Sequence, residues 1–278
     1  MFPIPTRVIL SSILCLHGHG LRVGDPAAPG IPKVLYVTAS YPKGSPEHQR
    51  ILGKFGSERG IELQYFDDED RRASAQLISS ALEAEGIVGS AYEAYTSLRP
   101  FAYKADLWRY MILWYCGGVY VDMNIQLRDD LSSWIDFDID ELVLVSDQEP
   151  GRYWNGMMAS KQRSGALAAV IRHVVRNVHD RYYGETDLDI TGPRALSRAL
   201  QQSSTNHHIK ANYCLREEMQ GACGSFPNPP CKLRVYSTDD GSVLASKARA
   251  RHEDVHDHYS KLYGMHAVYC DEPGPPCK

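Results

Sequence analysis

The 278-residue sequence lacks several features that mark whole classes of protein. It contains no run of basic residues, and its formal net charge of −4 gives no reason to expect a nucleic-acid partner. No internal repeat is visible. Hydrophobic residues at 43% and charged residues at 23% are ordinary values for a globular chain, so wholesale disorder is not expected.

The sequence also lacks a hydrophobic run that would span a membrane comfortably, which takes about 20 residues. The nearest approach is the stretch 8–16, which follows Arg7 and is interrupted only by two serines. A basic residue before a short apolar run is typical of a secretory signal. We therefore expect a signal peptide or short anchor at 1–17 and a linker at 18–30. The alternatives are a buried strand or a loose tail.

No Cys-x-x-Cys pair occurs among the seven cysteines, which disfavours zinc binding by cysteine. Bridges within the C-terminal part, such as Cys214–Cys223 and Cys270–Cys277, fit the sequence, although sequence alone does not choose among pairings. Cys116 falls in a predicted buried helix and is interpreted as a free core thiol. The clustering of cysteines near the C-terminus favours an oxidising compartment.

Apolar runs and amphipathic stretches alternate along most of the chain. They predict strands at 31–38, 61–66, 119–121 and 141–146, and helices at 47–59, 71–85, 104–116, 165–178 and 196–201. This alternation is typical of an α/β protein with a parallel sheet. The acidic cluster at 67–70 is interpreted as a solvated strand end or a helix N-cap rather than a metal site. Beyond residue 202 the sequence is irregular, with short strands such as 233–236.

We therefore predict one α/β domain over 31–278. Its core at 31–200 is expected to be a Rossmann-like, mostly parallel sheet with helices on both faces. Residues 201–278 are expected to form an irregular, Cys-rich lobe held by disulfides.

The chain is organised around residues 101–124. This segment is rich in large apolar residues and free of proline, and its first glycines are Gly117 and Gly118. It predicts a buried helix that ends at those glycines, followed by a short buried strand.

Four polar residues stand out in that apolar segment. Asp106 and Arg109 are three positions apart and share one face of the helix. Asp122 and Asn124 follow the strand, and residues two apart on an extended chain point to the same side. Because a buried lone charge is expensive, these groups must be paired or functional. A purely structural Asp106–Arg109 ion pair is the alternative.

Residues 105–124 resemble the sugar-binding region of DXD-containing glycosyltransferases. These include the yeast initiating α-1,6-mannosyltransferase, the inositol-phosphorylceramide mannosyltransferases and the α-1,4-galactosyltransferases. Residues 31–38 resemble the opening strand of the family, and 191–193 (Thr-Gly-Pro) match one of its signatures. Asn155 resembles its asparagine before a small-residue segment. The stretch 258–263 is similar to its terminal histidine with an aromatic five places on.

This resemblance implies a GT-A-type fold and the transfer of a hexose from a UDP- or GDP-linked sugar with retention of configuration. It implies donor binding at one set of residues: Thr38 near the base, with Asp106, Arg109, Tyr120 and Asp122 around the sugar and ribose. Asp122 and Asn155 are the implied catalytic residues. A manganese or magnesium ion is implied at Asp122, Asn124 and His258.

One residue departs from the family pattern: Asn124 stands where the family usually has aspartate. Asparagine keeps an oxygen ligand but removes a full negative charge, so the affinity for a cation should fall.

The expected acceptor is a glycan, lipid or protein, and the expected location is the Golgi or another part of the secretory pathway, with weak N-terminal membrane association.

Two rival functions are considered. Asn124 motivates a sugar- or nucleotide-binding homologue with weakened catalysis. The stretch His252-Glu-Asp-Val-His256 matches the H-E-x-x-H motif of zinc peptidases, although Asp254 suits a packed zinc helix poorly.

Overall fold

The computed structural model describes residues 30–56, 60–147, 149–203, 207–218, 232–248, 259–274 and 277. The strands in these residues are β1 Val34–Thr38, β2 Glu62–Phe66, β3 Gly118–Val121, β4 Ile125–Leu127, β5 Leu142–Ser146, β6 Tyr153–Ser160, β7 Ile209–Lys210, β8 Tyr213–Glu218, β9 Lys232–Ser237 and β10 Val243–Ala248. The helices are α1 Pro46–Phe55, α2 Asp68–Ala84, α3 Ala91–Ser97, α4 Phe101–Cys116, α5 Leu131–Trp134, α6 Gly165–His179, α7 Pro193–Gln202 and α8 Tyr259–Gly264.

The strands of the described residues form one sheet in the order β2-β1-β3-β6-β5-β8-β9-β10-β4, with β7 also paired to β5. The α/β prediction is confirmed, but the sheet is mixed rather than mostly parallel. Only β1 with β2 and β3, and β5 with β7 and β8, run parallel. The β5–β6 and β9–β10 pairs are antiparallel because their connections, 147–152 and 238–242, are too short for a parallel crossover of a dozen or more residues.

The sheet curls because β3 and β4 are joined by three residues but lie far apart in the strand order. Six strand spacings separate them, which would be roughly 29 Å in a flat sheet. The connection 122–124 can span at most about 14 Å. β4, which is last in the sheet order, must therefore lie close to the end of β3.

Two hydrophobic cores lie on opposite faces of this sheet, as the period-two alternation along the strands requires. Tyr36 and Tyr120 face the larger core, which is covered by α2, α3, α4, α6 and α7. Leu35 and Val121 face the second core, which α1 and α5 cover and the curl partly encloses. Helices on both faces are thus confirmed.

Helix α4 is the most deeply buried element of the larger core. Every residue from Tyr103 to Trp114 is buried, so its three charged side chains, Lys104, Asp106 and Arg109, lie in an apolar setting. The helix ends as predicted at Gly117, which has φ +67° and donates its N–H to the carbonyl of Leu113.

The acidic cluster is a helix N-cap, as predicted. The Asp67 side chain accepts from the backbone N–H groups of Glu69 and Asp70. In turn, the Asp70 side chain accepts from the backbone N–H of Asp67. This capping box stabilises the start of α2, and Asp70 also pairs with Lys43.

The cysteine predictions have mixed outcomes. Cys270–Cys277 is a disulfide, as predicted. Cys116 is disulfide-bonded, so its interpretation as a free thiol is wrong: deep burial of a cysteine does not distinguish a thiol from a bridge. Cys214 is a free thiol on β8, so the Cys214–Cys223 pairing is also wrong.

The C-terminal part is more regular than predicted. Its strands β8, β9 and β10 extend the same sheet, and the helix α8 packs against α4. Arg99, at the start of the α4 region, donates to the carbonyl oxygens of Ala267 and Glu272, which ties the end of the described chain to the core. No helix among the described residues has the length and apolar character to cross a membrane.

Gly118, at the start of β3, provides a test of this packing. Its φ is +104°, and a Cβ there would lie 2.8 Å from the Val34 carbonyl oxygen and 2.9 Å from the Tyr36 ring. We expect Gly118→Ala to lower the free energy of unfolding by at least about 1–3 kcal/mol, measured by urea denaturation.

Gly53 serves as the matched control, because it is an exposed glycine in α1 with open space around its Cβ position. Gly53→Ala should raise the free energy of unfolding by about 0.5–1 kcal/mol. Equal effects of the two substitutions would contradict the close approach of β3 to β1.

Candidate functional site

A cavity of about 290 Å³ opens where β1, β3 and β6 meet the first half of α4. Its walls contain every sequence-predicted site residue that the structure describes: Thr38, Asp106, Arg109, Tyr120, Asp122, Asn124 and Asn155. His258 lies outside the described residues, so its place in the site stays a prediction. The neighbouring wall is aromatic and includes Phe101, Tyr103, Trp154 and Tyr259.

Strand ends bring the polar side chains together. Thr38 is the last residue of β1, and Asp122 directly follows β3, so the carboxyl ends of two parallel neighbours meet at the cavity. This is where open α/β sheets place their ligands. Asp106 and Arg109 reach the cavity from α4, and Asn155 reaches it from β6.

The Asp106 carboxylate is buried and held from three sides. Oδ1 accepts from Asn155 Nδ2 at 2.9 Å and lies 3.1 Å from Arg109 Nη2. Oδ2 accepts from Thr191 Oγ1 at 2.9 Å. Burial raises the pKa of Asp106, while Arg109 and the hydrogen bonds from Thr191 and Asn155 oppose that rise.

Arg109 joins the two acidic residues of the site. Its Nη1 lies 3.3 Å from Asp122 Oδ1 and donates to the backbone oxygen of Asn155 at 2.7 Å. The guanidinium carbon stands 4.4 Å from the centroid of the Tyr120 ring, a cation–π geometry. Arg109 thus fixes Asp106, Asp122 and Asn155 relative to one another.

Asp122 has contacts at both carboxylate oxygens. The Tyr120 hydroxyl donates to Oδ1 at 2.9 Å, and Lys247 Nζ donates to Oδ2 at 2.8 Å. Burial works against its charge, but Lys247 and Arg109 outweigh burial and hold the pKa of Asp122 below its ordinary value. Asp122 is therefore an ionised carboxylate at neutral pH.

Further contacts fix the backbone around Asp122. Its N–H donates to the carbonyl of Gly156 at 2.9 Å, and its carbonyl accepts from Ile125 at 3.0 Å. Lys54 reaches across from α1 and donates to the carbonyl of Met123 at 2.9 Å. The turn is thus held by three elements before any ligand arrives, which is the preorganisation that a binding site requires.

Thr38 has a mainly structural set of contacts. Its hydroxyl donates to the Phe66 carbonyl at 2.8 Å and accepts from Arg71 Nη1 at 3.0 Å. The residue lines the cavity, and its place near the base of a donor stays a prediction.

Two residues missed in the sequence contact the predicted ones directly. Tyr110 accepts from Asn155 Nδ2 at 2.8 Å and donates to the Thr191 carbonyl at 3.0 Å. Lys247, on β10, pairs with Asp122 and stands 5.3 Å from the Trp154 ring centroid. Tyr110 is one turn from Asp106 and could have been flagged by helical spacing, whereas Lys247 has no local signal.

The described residues of the site do not fit a carboxylate-held divalent cation. Among the residues that the structure describes, no group of three or more His, Cys, Asp or Glu side chains could hold a metal ion. Both oxygens of Asp122 already have partners in Arg109, Tyr120 and Lys247, two of them cationic, and the exposed Asn124 carries no charge. Hard divalent cations bind where several oxygen ligands, usually with more than one carboxylate, converge.

The fold and the cavity define a class of protein: an α/β protein with a preformed polar site at the carboxyl ends of its strands. Residues 59–139 match the model of the family described as glycosyltransferase sugar-binding region containing DXD motif. The resemblance to DXD glycosyltransferases is thereby confirmed for that segment, which contains α4, β3 and the 122–124 turn. The narrower mannosyl- and galactosyltransferase groups are not confirmed.

Other similarities are weaker. Among solved structures, the chain is similar to the PaToxG glycosyltransferase, with 13% identity and a TM-score of 0.41 over 63% of this chain and 70% of that chain. A likeness of this size does not bear on function. No curated protein sequence matches the chain. The peptidase motif at 252–256 lies outside the described residues, and that alternative stays untested.

The burial of the Asp106–Arg109 pair leads to a test of stability. Removing one partner of a buried ion pair leaves an uncompensated charge, so Arg109→Met should lower the free energy of unfolding by about 3–5 kcal/mol. Adding Asp106→Asn should recover much of that loss, because the stranded charge is then removed. Urea denaturation of both variants measures the two changes.

The exposed pair Arg181–Asp271, at 2.6 Å, is the matched control. Arg181→Met should change the free energy of unfolding by no more than about 1 kcal/mol. A failure of the Asp106→Asn change to restore stability would contradict the description of Arg109 as the partner of a buried charge.

Proposed function

We propose that this protein is a GT-A-type glycosyltransferase that moves a hexose from a UDP- or GDP-linked sugar to a hydroxyl group of a glycan, lipid or protein. The observation that carries the proposal is the chain of contacts Asp106–Arg109–Asp122 on the cavity wall, inside the segment that matches the family. The retaining outcome and the narrower donor class are part of the proposal.

The remaining hydrogen-bonding capacity of the pair suits a sugar. A carboxylate has about four acceptor positions, and Asp106 uses three of them on described residues: Asn155, Arg109 and Thr191. Arg109 has five N–H donors, and four are directed at described groups. Among the described residues, one acceptor of Asp106 and one donor of Arg109 thus remain, which matches the capacity of a sugar hydroxyl both to donate and to accept.

The cavity also suits the sugar part of the proposed donor in size and lining. Its volume of about 290 Å³ is close to the lower limit of ligand pockets, which run from about 300 to 1,000 Å³, and fits a monosaccharide unit. Trp154 and Phe101 offer apolar ring faces on which a sugar or base can pack.

In the proposed reaction, the bond between the anomeric carbon and the diphosphate oxygen breaks, and its electron pair stays on the diphosphate. The acceptor oxygen bonds to the anomeric carbon, and its proton passes to water. In this proposal Asn155, which donates to Asp106 at 2.9 Å, contacts the reacting sugar. Asp122 orients the sugar or ribose and supplies charge beside the developing positive centre.

The proposal includes a compartment. The Cys270–Cys277 disulfide and the bridged Cys116 support an oxidising location, and we propose the secretory pathway. The predicted signal or anchor at 1–17 lies outside the described residues, as does any weak membrane association that it would give.

A second candidate is a homologue that binds a nucleotide sugar without transferring it. Asn124 favours this alternative, because a neutral side chain stands where the family usually has a ligand for a cation. Such a protein would bind the donor and leave it intact.

A donor screen tests the proposal. The purified full chain is incubated with UDP- and GDP-hexoses, with and without manganese, and donor hydrolysis is measured alongside donor binding. We expect hydrolysis of at least one donor, and retention is read from the anomeric NMR signal of a transfer product. Asp122→Asn should lower turnover at least about 100-fold, since it removes a preorganised charge.

Asp140→Asn is the matched control, because Asp140 pairs with Lys210 at 2.8 Å and does not line the cavity. Its turnover should equal that of the unsubstituted protein. Binding without hydrolysis would favour the second candidate, and neither binding nor hydrolysis of any donor would defeat the transferase proposal.

A further inference from the structure

Lys247 occupies a position in the site that only the curled sheet creates. β10 pairs antiparallel with β4, and Lys247 stands opposite Ile125, the residue that follows Asn124. The side chain thus reaches Asp122 across a sequence separation of 125 residues.

The strand pattern shows that this lysine faces inward. Ala245, two residues earlier, and Ile125, directly opposite, are both fully buried in the second core. Residues two apart on a strand, and directly paired residues, point to the same face of a sheet. A lysine on such a face must be paired to be tolerated, and Lys247 is paired with Asp122 at the mouth of the cavity.

The charges around Asp122 balance without a metal. Arg109 and Lys247 contribute two positive charges, Asp106 and Asp122 contribute two negative charges, and Asn124 contributes none. A divalent cation bound to the same carboxylate would stand beside the ammonium group of Lys247, and the two positive groups would repel each other. The lysine therefore takes the place that a cation would need.

We propose, on the basis of the function proposed above, that Lys247 is the resident cation of this site and binds the diphosphate of the donor in place of a divalent metal. An ammonium group has three N–H donors. Among the described residues, one donor of Lys247 is directed at Asp122, which leaves two for the phosphate oxygens of the donor sugar nucleotide. As the bond to the anomeric carbon breaks, the electron pair left on the diphosphate oxygen is stabilised by this ammonium group. Donor binding and turnover are then independent of divalent cations.

The first test measures binding of UDP and GDP to the full chain by isothermal titration calorimetry, once in EDTA and once in manganese. We expect the two dissociation constants to agree within about twofold for the unsubstituted protein. Lys247→Met in EDTA should weaken binding by about 10- to 100-fold, because a charge-assisted hydrogen bond to phosphate is lost. Lys247→Arg should retain most of the affinity.

The second test removes the ammonium group of Lys247 and restores a carboxylate that could hold a metal ion in its place. In the double variant Lys247→Met/Asn124→Asp, Asp122 is released and a second carboxylate is added. We expect this variant to bind UDP or GDP more tightly in manganese than in EDTA. Lys210→Met is the matched control, because Lys210 makes a lysine–aspartate pair of the same 2.8 Å length outside the cavity.

The outcomes separate this proposal from the function on which it rests. Binding or turnover that appears in the unsubstituted protein only with a divalent cation overturns the role of Lys247 and leaves the transferase proposal standing. The role of Lys247 is also overturned if Lys247→Met in EDTA has the same affinity and turnover as the unsubstituted protein, since the lysine is then only a structural partner of Asp122. If Lys247→Met does not fold, as judged by circular dichroism, the comparison of EDTA with manganese and the Lys247→Arg variant still decide. The absence of any donor binding defeats the proposed function instead.

Discussion

The chain of opposite charges Asp106–Arg109–Asp122–Lys247, which is buried at Asp106 and Arg109 and partly buried at Asp122 and Lys247, is the interaction on which the site depends. Each member is stabilised by its neighbours, because an unpaired charge is costly wherever it is largely removed from water. The chain also connects α4 and the end of β3 with β10, which lies more than a hundred residues further along the sequence. The interaction that satisfies the charges therefore also aligns the walls of the cavity.

The same chain explains why two like residues have different electrostatic properties. Asp106 is buried and Asp122 is partly buried, and both carboxylates lie beside Arg109. Burial raises the pKa of Asp106, whereas a second cation lowers that of Asp122. Asp122, which has two cationic partners, is thus the more firmly ionised member, whereas Asp106 has Arg109 as its cationic partner together with hydrogen bonds from Thr191 and Asn155.

Local sequence patterns predicted the centre of the fold well. The unbroken apolar run of α4, the glycines after it and the three-residue spacing of Asp106 and Arg109 are short-range features, and the structure has all of them. The mixed sheet could not be predicted, because strand order depends on pairings between distant segments. Strand β6 was missed although Asn155 had been singled out, since Gly156 interrupts its apolar pattern. Lys247 was missed because its inward direction is defined only once β10 is paired with β4.

The three-residue turn at 122–124 has a consequence for the order in which the molecule forms. Strands β1, β2 and β3 can pair as soon as the first half of the chain is available, whereas β10 must close a loop of more than a hundred residues before it contacts β4. The cavity walls from α4 and β3 then exist before the charge of Asp122 is balanced by Lys247. The charged site is accordingly complete only when β10 has paired with β4. A chain that stopped folding before that pairing would contain the first strands and α4, but its Asp122 carboxylate would lack Lys247 as a partner.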